Sequence, residues 1–207
     1  VQGSGEVRFV LHGPSGPIPV RVPRPGEHIA RDAAGVLAVL GELGYDLAGA
    51  AAGLAHFSGV KRRFEVRARL KGVTIVDDYA HHPTEITATI AAGRGGGWDR
   101  VIAVFQPHRY TRTADLAPAF GAPLASADRV VVTGVYAAGE SPLPGVSGRL
   151  VAEAVAAAGG EVEYVANLGD VAGLLVPDLR PGDLVLLLGA GDVNSIADDL
   201  ASLIGAR

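Results

Sequence analysis

Val101-Ile102-Ala103-Val104-Phe105-Gln106-Pro107-His108-Arg109-Tyr110-Thr111-Arg112 sets a continuous apolar run directly against a cluster carrying an imidazole, guanidiniums and a phenol. Such a run suits a parallel strand covered by helices on both faces; a strand with one wet face would alternate. Working outward, the same character recurs in Val130-Val131-Val132 and Leu184-Val185-Leu186-Leu187-Leu188. Strands are expected at 63–70, 73–77, 101–105, 129–133, 162–165 and 184–188, with helices at 83–92, 113–120, 147–158, 169–175 and 194–204. This alternation predicts an α/β fold, a Rossmann-like doubly wound and mostly parallel sheet, from about residue 60 onward.

The first part reads differently, as the α+β tail of another domain. Residues 6–11 and 18–22 are short β-prone runs around His12-Gly13-Pro14-Ser15-Gly16-Pro17, a hairpin loop. Residues 28–43 place Ala33, Val36, Leu37, Leu40 and Leu43 at helical spacing, with Gly44 where a C-cap belongs, and a second helix is expected at 46–56.

At 207 residues the chain has room for one large domain, or one domain and part of another. A 48% hydrophobic and 19% charged composition is that of a folded globular protein. Net charge is −4 with acids and bases interspersed, which argues against nucleic acid as a partner. There is no cysteine, hence no disulfide framework or thiolate zinc site, in keeping with a reducing compartment, and a cytoplasmic location is expected. No apolar run approaches the ~20 residues that cross a bilayer, and Val1-Gln2-Gly3-Ser4-Gly5 lacks a signal-peptide pattern. With no Met anywhere, residue 1 is expected to lie inside a longer gene product.

In a doubly wound sheet the ligand crevice lies beyond the carboxyl ends of the strands. Three polar clusters follow apolar strands directly and are expected to converge there: Asp77-Asp78-Tyr79-Ala80-His81-His82, Gln106 to Arg112, and Gly189-Ala190-Gly191-Asp192. Each also has a plain structural reading. In the first, an Asp caps the next helix and the histidines are merely exposed; alternatively the carboxylates hold ribose hydroxyls or a metal ion and an imidazole lies against a base. His81-His82 is too close a pair for the usual helical zinc spacing, so no metal site is expected from it.

In the second cluster, His108, Arg109 and Arg112 put cations at a helix start, where the macrodipole disfavours them by ~0.3–1 kcal/mol each. Something anionic should compensate: an acidic neighbour elsewhere in the fold, or a carboxylate- or phosphate-bearing substrate held between Arg109 and Arg112. The glycine cluster is a weak dinucleotide fingerprint, readable as a tight strand-to-helix turn with Asp192 near an N-cap or as a backbone amide nest near substrate. Lys61-Arg62-Arg63 is either a solvated basic turn or a guanidinium facing anionic oxygens. Glu140-Ser141-Pro142-Leu143-Pro144 reads as a surface loop, Trp98 and the tyrosines as core or edge residues, and His12 and His56 are given no role.

Taken together, Gly-Val-Lys-Arg-Arg-Phe-Glu at 59–65, Asp-Asp-Tyr-Ala-His-His-Pro-Thr-Glu at 77–85 and Phe-Gln-Pro-His-Arg-Tyr-Thr-Arg-Thr at 105–113 resemble the Mur ligase family in order and spacing, across 25–207. The third string resembles the L-alanine-adding members and not the murein-peptide ligase, which remains the alternative, together with a nucleotide-binding module that has no chemistry of its own. The resemblance implies that 1–58 is the tail of a central ATPase domain and 59–207 a complete C-terminal domain. It implies a peptidoglycan ligase that uses ATP and Mg2+ to activate the carboxylate of UDP-N-acetylmuramate as an acyl phosphate, which the amine of L-alanine then attacks.

By the same resemblance Arg63 and His108 are the catalytic candidates. His28, Arg63, Asp78, Tyr79 and His81 would bind ATP, with Arg63 toward the terminal phosphate, Asp78 on ribose, and Tyr79 and His81 by the adenine. His108, Arg109, Tyr110 and Arg112 would contact the substrates. Of the family's His-Asn-x-x-Asn-Ala pattern, His28-Ile29-Ala30-Arg31-Asp32-Ala33 keeps only His28 and Ala33. No Gly-x-x-x-x-Gly-Lys-[Ser/Thr] occurs in these residues, so they are not expected to use ATP alone, and most magnesium ligands are expected upstream.

Overall fold

The computed structural model describes residues 5–13 and 16–206. Residues 1–4, 14–15 and 207 lie outside the described residues, so the loop expected around Pro14-Ser15 falls there. Two compact units are present: one holds the residues up to Val60 with Ala91–Gly97, the other Lys61–Ile90 and the chain from Trp98 onward.

In the first unit, β1 (Val7–Gly13) and β2 (Gly16–Val22) form an antiparallel hairpin. The ladder reaches Gly13 and Gly16, so His12 and Pro17, expected in the loop, are paired strand residues. Val7, Val20 and Val22 point to a core completed by Ala33 and Leu37 of α1 (Glu27–Glu42) and Ala51 of α2 (Leu47–Leu54). The helix ends as its sequence directs. Gly44, at φ 80, donates to Gly41 O and Tyr45 donates to Leu40 O, the paired bonds of a Schellman cap. Asp46 then caps α2 through the amides of Ala48 and Gly49. Val36 and Leu43, expected on the buried stripe, are 52% and 67% exposed: the core of this unit covers only the narrow line through Ala33 and Leu37.

The second unit is built on a six-stranded sheet in the order β3-β4-β8-β5-β6-β7. Its strands are β3 (Glu65–Leu70), β4 (Val73–Asp78), β5 (Arg100–Phe105), β6 (Arg129–Thr133), β7 (Val162–Val165) and β8 (Asp183–Leu188). Only β3 runs antiparallel. The connecting helices are α3 (Pro83–Arg94), α4 (Tyr110–Ala125), α5 (Arg149–Ala157), α6 (Val171–Leu175) and, after β8, α7 (Ile196–Ala206).

Period-two alternation sends successive strand residues to opposite faces. Val73, Ile75, Ile102, Val104, Val131, Val185 and Leu187 pack under α6 and α7. The other face buries Val76, Ala103, Phe105, Leu184, Leu186 and Leu188. Phe105 there meets Phe120 of α4 at 4.9 Å between ring centroids. The sheet is thus covered on both sides, which is why its central strands carry no polar alternation.

Two boundaries differ from expectation for local reasons. Strand β3 begins at Glu65 and not at residue 63, because Arg62 and Phe64 stand at φ 57 and 46 in a corner that no strand can include. Helix α4 begins at Tyr110, inside the polar cluster, and runs on past Pro118 and Pro123.

The topology places the crevice. The chain steps from β4 to β5, β6 and β7, then returns to insert β8 between β4 and β5. Helices α4 and α7, which leave β5 and β8, lie on opposite faces, so the carboxyl ends of these neighbours form the switch point.

Candidate active site

Strands β4, β8 and β5 are consecutive neighbours, so the three polar clusters stand side by side on one sheet edge. At its entry the corner before β3 sorts the cations. Phe64 turns inward to 5% exposure, and its amide donates to Asp78 Oδ2 at 2.8 Å. Arg62 folds back: Nε donates to Asp77 Oδ2 at 3.2 Å, Nη2 donates to Gly189 O at 2.8 Å, and the guanidinium lies 4.9 Å from the Tyr79 ring centroid. Burial pushes the Asp77 carboxyl above its ordinary range, against the pull of Arg62. Arg63 is left outward, its side chain 52% exposed and its nearest acid, Glu85, 3.7 Å away.

Beyond β4, Asp78 is buried and organises the loop, accepting the amide of Ala80 at Oδ1 and that of Phe64 at Oδ2, both at 2.8 Å. The amides of His81 and His82 at the start of α3 are accepted by Glu85. Burial works against Glu85, but these amides with His81 and Arg63 hold its carboxyl below the usual range. Tyr79 is 36% exposed, with His81 set edge-on to it at 5.3 Å. His81 Nδ1 lies 2.9 Å from Tyr79 O, which fixes the imidazole plane.

Beyond β5, His108 forms an isolated parallel bridge with Tyr136, and the two rings stack at 5.5 Å with 15° between planes. His108 Nδ1 and Arg112 Nη1 are both buried without a hydrogen-bond partner. Arg109 is exposed, and its charge acts on Glu140. Burial first, then Arg112, His81 and Arg109, push the His108 imidazole below its ordinary pKa. A buried polar atom left unpaired costs about 1–3 kcal/mol, so these two nitrogens are open to a hydrogen-bonding guest.

The anion expected at the start of α4 is Glu140, which accepts the Thr111 amide at 3.0 Å and its hydroxyl at 2.7 Å. The loop read as plain surface therefore supplies the acidic neighbour, and the helix end alone is no argument for a substrate. The unpaired nitrogens of His108 and Arg112 are a separate observation that Glu140 does not remove.

Beyond β8, Gly189 and Gly191 bring backbone close to the other loops. A Cβ on Gly191 would lie 2.6 Å from Tyr136 Cγ. Gln106, buried at the end of β5, donates to Asp192 Oδ1 at 2.6 Å and accepts the Val193 amide at 3.1 Å. Asp192 thus serves Gln106 and makes no side-chain cap of its own.

The structure brings Arg63, Asp78, Tyr79, His81, His108, Arg109 and Arg112 to this edge; the His81 and His108 rings are 5.9 Å apart. Tyr110 opens α4 half-buried, and His28 lies in the first turn of α1, in the first unit. Sequence reasoning missed Arg62, Tyr136 and Glu140. For Glu140 the signal was the cationic helix start, which demanded an anion; for Tyr136 there was none. No group of three His, Cys, Asp or Glu side chains able to hold a metal occurs among the described residues.

Residues 62–191, nearly the whole of the second unit, match the family model described as Mur ligase, glutamate ligase domain. The chain belongs to the Mur ligase family. The family expected from the three strings is therefore the right one. Among curated Mur ligases, the UDP-N-acetylmuramate–L-alanine ligase of Mycolicibacterium vanbaalenii is 44% identical over 211 residues, covering 100% of this chain and 44% of that protein. That of Saccharopolyspora erythraea is 46% identical, covering 96% of this chain and 40% of that protein. The crystal structure of the Thermotoga maritima UDP-N-acetylmuramate–alanine ligase superposes with a TM-score of 0.75 at 28% identity, over 89% of this chain and 39% of that one. A murein peptide ligase from Psychrobacter arcticus shares the fold, with a TM-score of 0.68 at 20% identity over 100% of this chain and 43% of that one. The chain thus spans less than half the length of the relatives it matches.

Proposed function

We propose that this chain is the rear portion of an ATP-dependent peptidoglycan ligase that joins L-alanine to UDP-N-acetylmuramate. In this reading residues 1–58 are the tail of the central ATPase domain, 59–207 the C-terminal domain, and the chain alone is inactive. The observation that carries it is the pair of buried, unpartnered nitrogens, His108 Nδ1 and Arg112 Nη1, beside the exposed Arg109. Two guanidiniums and an imidazole suit a carboxylate, and the relatives at 44–46% identity are named for an amino acid and a muramic acid that each carry one.

The chemistry is a transfer of the terminal phosphoryl group of ATP to the lactyl carboxylate, with ADP leaving. The free amine of L-alanine then attacks the acyl carbon, the new C–N bond replaces the C–O bond as inorganic phosphate leaves, and the nitrogen gives up one proton and keeps one as the amide N–H. Positioning and charge neutralisation dominate such transfers. Arg63, half-exposed beside Glu85, is the guanidinium assigned to the terminal phosphate. Tyr79 and His81 offer ring surface that suits an adenine, and Asp78 is assigned to the ribose. His108, Arg109, Tyr110 and Arg112 hold the substrate carboxylates, and His108, neutral near pH 7, stands ready at Nδ1.

Mg2+ neutralises phosphate charge when ATP is bound. The acids at this edge are a poor fit for it, since Asp77 is held by Arg62, Asp78 by amides and Glu85 by the start of α3. Its ligands accordingly belong to upstream residues. A cytoplasmic location fits nucleotide substrates, and no helix among the described residues is long and apolar enough to cross a membrane.

The test is acceptor choice by the complete ligase. Phosphate release that depends on L-alanine supports the proposal; release driven by a muramyl-linked peptide and not by L-alanine sinks it in favour of murein-peptide ligation.

A further inference from the structure

The start of α4 breaks two local rules at once. Its N-cap is a cation, Arg109, at φ 70 and ψ 137, with no side-chain cap of its own, where Ser, Thr, Asp or Asn at negative φ is favoured. Violations of this kind persist where the surroundings hold them in place and the side chain is needed for something else.

The surroundings are the loop after β6. Glu140 accepts both the amide and the hydroxyl of Thr111, so a full negative charge from a distant loop replaces the missing cap. The same loop fixes the segment leading into the helix. Tyr136 donates its amide to Pro107 O and accepts the Arg109 amide at its own carbonyl, each at 2.8 Å. Its ring stacks on His108 on one side, and Gly191 must lack a Cβ to admit it.

Resting on the carboxylate-subsite reading above, we infer that Glu140 is a positioning residue. It is a resident carboxylate that fills the α4 N-terminus and so directs an incoming carboxylate to Arg109, Arg112 and His108 Nδ1, while Tyr136 holds the imidazole plane. Without it, the helix end would be the strongest competing anion site in reach. The arrangement separates two anions at one helix start: one belongs to the protein, and the other is the substrate's.

The experiment is an NMR titration of the chain with L-alanine, and separately with acetate, in wild type, Glu140→Gln and Glu140→Ala. The Thr111 amide and the Arg109 and Arg112 Nε–H resonances are followed, and thermal unfolding checks the fold. In wild type, L-alanine moves the arginine signals and leaves the Thr111 amide in place. In Glu140→Gln the arginine response weakens by about fivefold or more, the size expected of a lost cap. The perturbation then appears at the Thr111 amide, where the ligand carboxylate has taken the helix end. In Glu140→Ala, acetate restores the wild-type Thr111 signal, which a purely packing role would not produce. If Glu140→Gln responds at Arg109 and Arg112 as wild type does, with Thr111 unmoved, the positioning role is overturned and the subsite reading stands. If wild type itself shows no arginine response to either probe, the subsite reading falls, and the positioning role falls with it.

Discussion

The imidazoles of His81 and His108 stand 5.9 Å apart, although one follows β4, the other follows β5, and β8 runs between those strands. Neither residue sees the other in sequence. They meet because the last strand returns to the middle of the sheet, leaving the loops of its two neighbours to close over its carboxyl end. The site is therefore a product of strand order, and its residues respond to substitution according to which of two tasks they carry: holding the edge together or facing outward from it.

Arg112 does not hold the edge together. Its Nη1 is buried without a partner, so removing the guanidinium relieves an unpaired donor and should leave stability nearly unchanged. In the complete ligase Arg112→Ala is expected to raise KM for L-alanine or UDP-N-acetylmuramate by about 10- to 100-fold, the weight of one or two charged hydrogen bonds. Steady-state kinetics with each substrate varied in turn checks this, and KM for ATP should move far less. Arg109→Ala should behave alike.

Asp78 holds the edge together. Asp78→Ala orphans the buried amides of Phe64 and Ala80 and should cost about 2–4 kcal/mol of stability. Chemical denaturation of the chain measures it. If Asp78 also serves ribose, Asp78→Asn should weaken nucleotide binding by more than its loss of stability explains; unaltered nucleotide affinity in that variant removes the ribose role.

Protonation of His108 is disfavoured in the fold by burial and by the cations around it. The sign of the effect on stability follows: with the folded pKa below the unfolded value near 6.5, stability present above about pH 6.5 declines as pH falls through the folded pKa. A carboxylate bound at Nδ1 reverses the balance by favouring the imidazolium. L-alanine binding is therefore expected to tighten as pH drops from about 8 to about 6, and calorimetric titration across that range checks it. In His108→Gln this dependence should flatten.

At the opposite end of the sheet, Asp183 is 1% exposed and takes a forked pair of bonds from Arg100, at 2.8 and 2.7 Å. Asp183 pulls the Arg100 guanidinium pKa up. Asp183→Ala should destabilise the chain by about 2–4 kcal/mol with no effect on substrate KM. Denaturation and kinetics on the same variant separate this ion pair from those of the active edge.

The architecture was legible because the physics that makes it is local. Continuous apolar runs at 101–105 and 184–188 exist only where helices cover both faces, and β5 and β8 are what they formed. The converging polar clusters were legible for the same reason, since each abuts its strand end. What escaped depends on distance. Whether Arg62 or Arg63 points outward is decided by Phe64 turning into the core and by Asp77 on the next strand. That Glu140 reaches Thr111 is decided by the path of the loop after β6. A charged residue followed by Ser-Pro-Leu-Pro carries no local sign of that partner.

The central claim is that the loops after β4, β5 and β8 enclose one shared anionic guest. The most direct measurement is hydrogen exchange of the complete ligase with and without a non-hydrolysable ATP analogue, UDP-N-acetylmuramate and L-alanine. Protection should appear together in the stretches 62–65, 77–82, 106–113, 134–140 and 189–192 and leave the Asp178–Asp183 end unchanged. Protection absent from those stretches, or confined to the opposite end of the sheet, would contradict it.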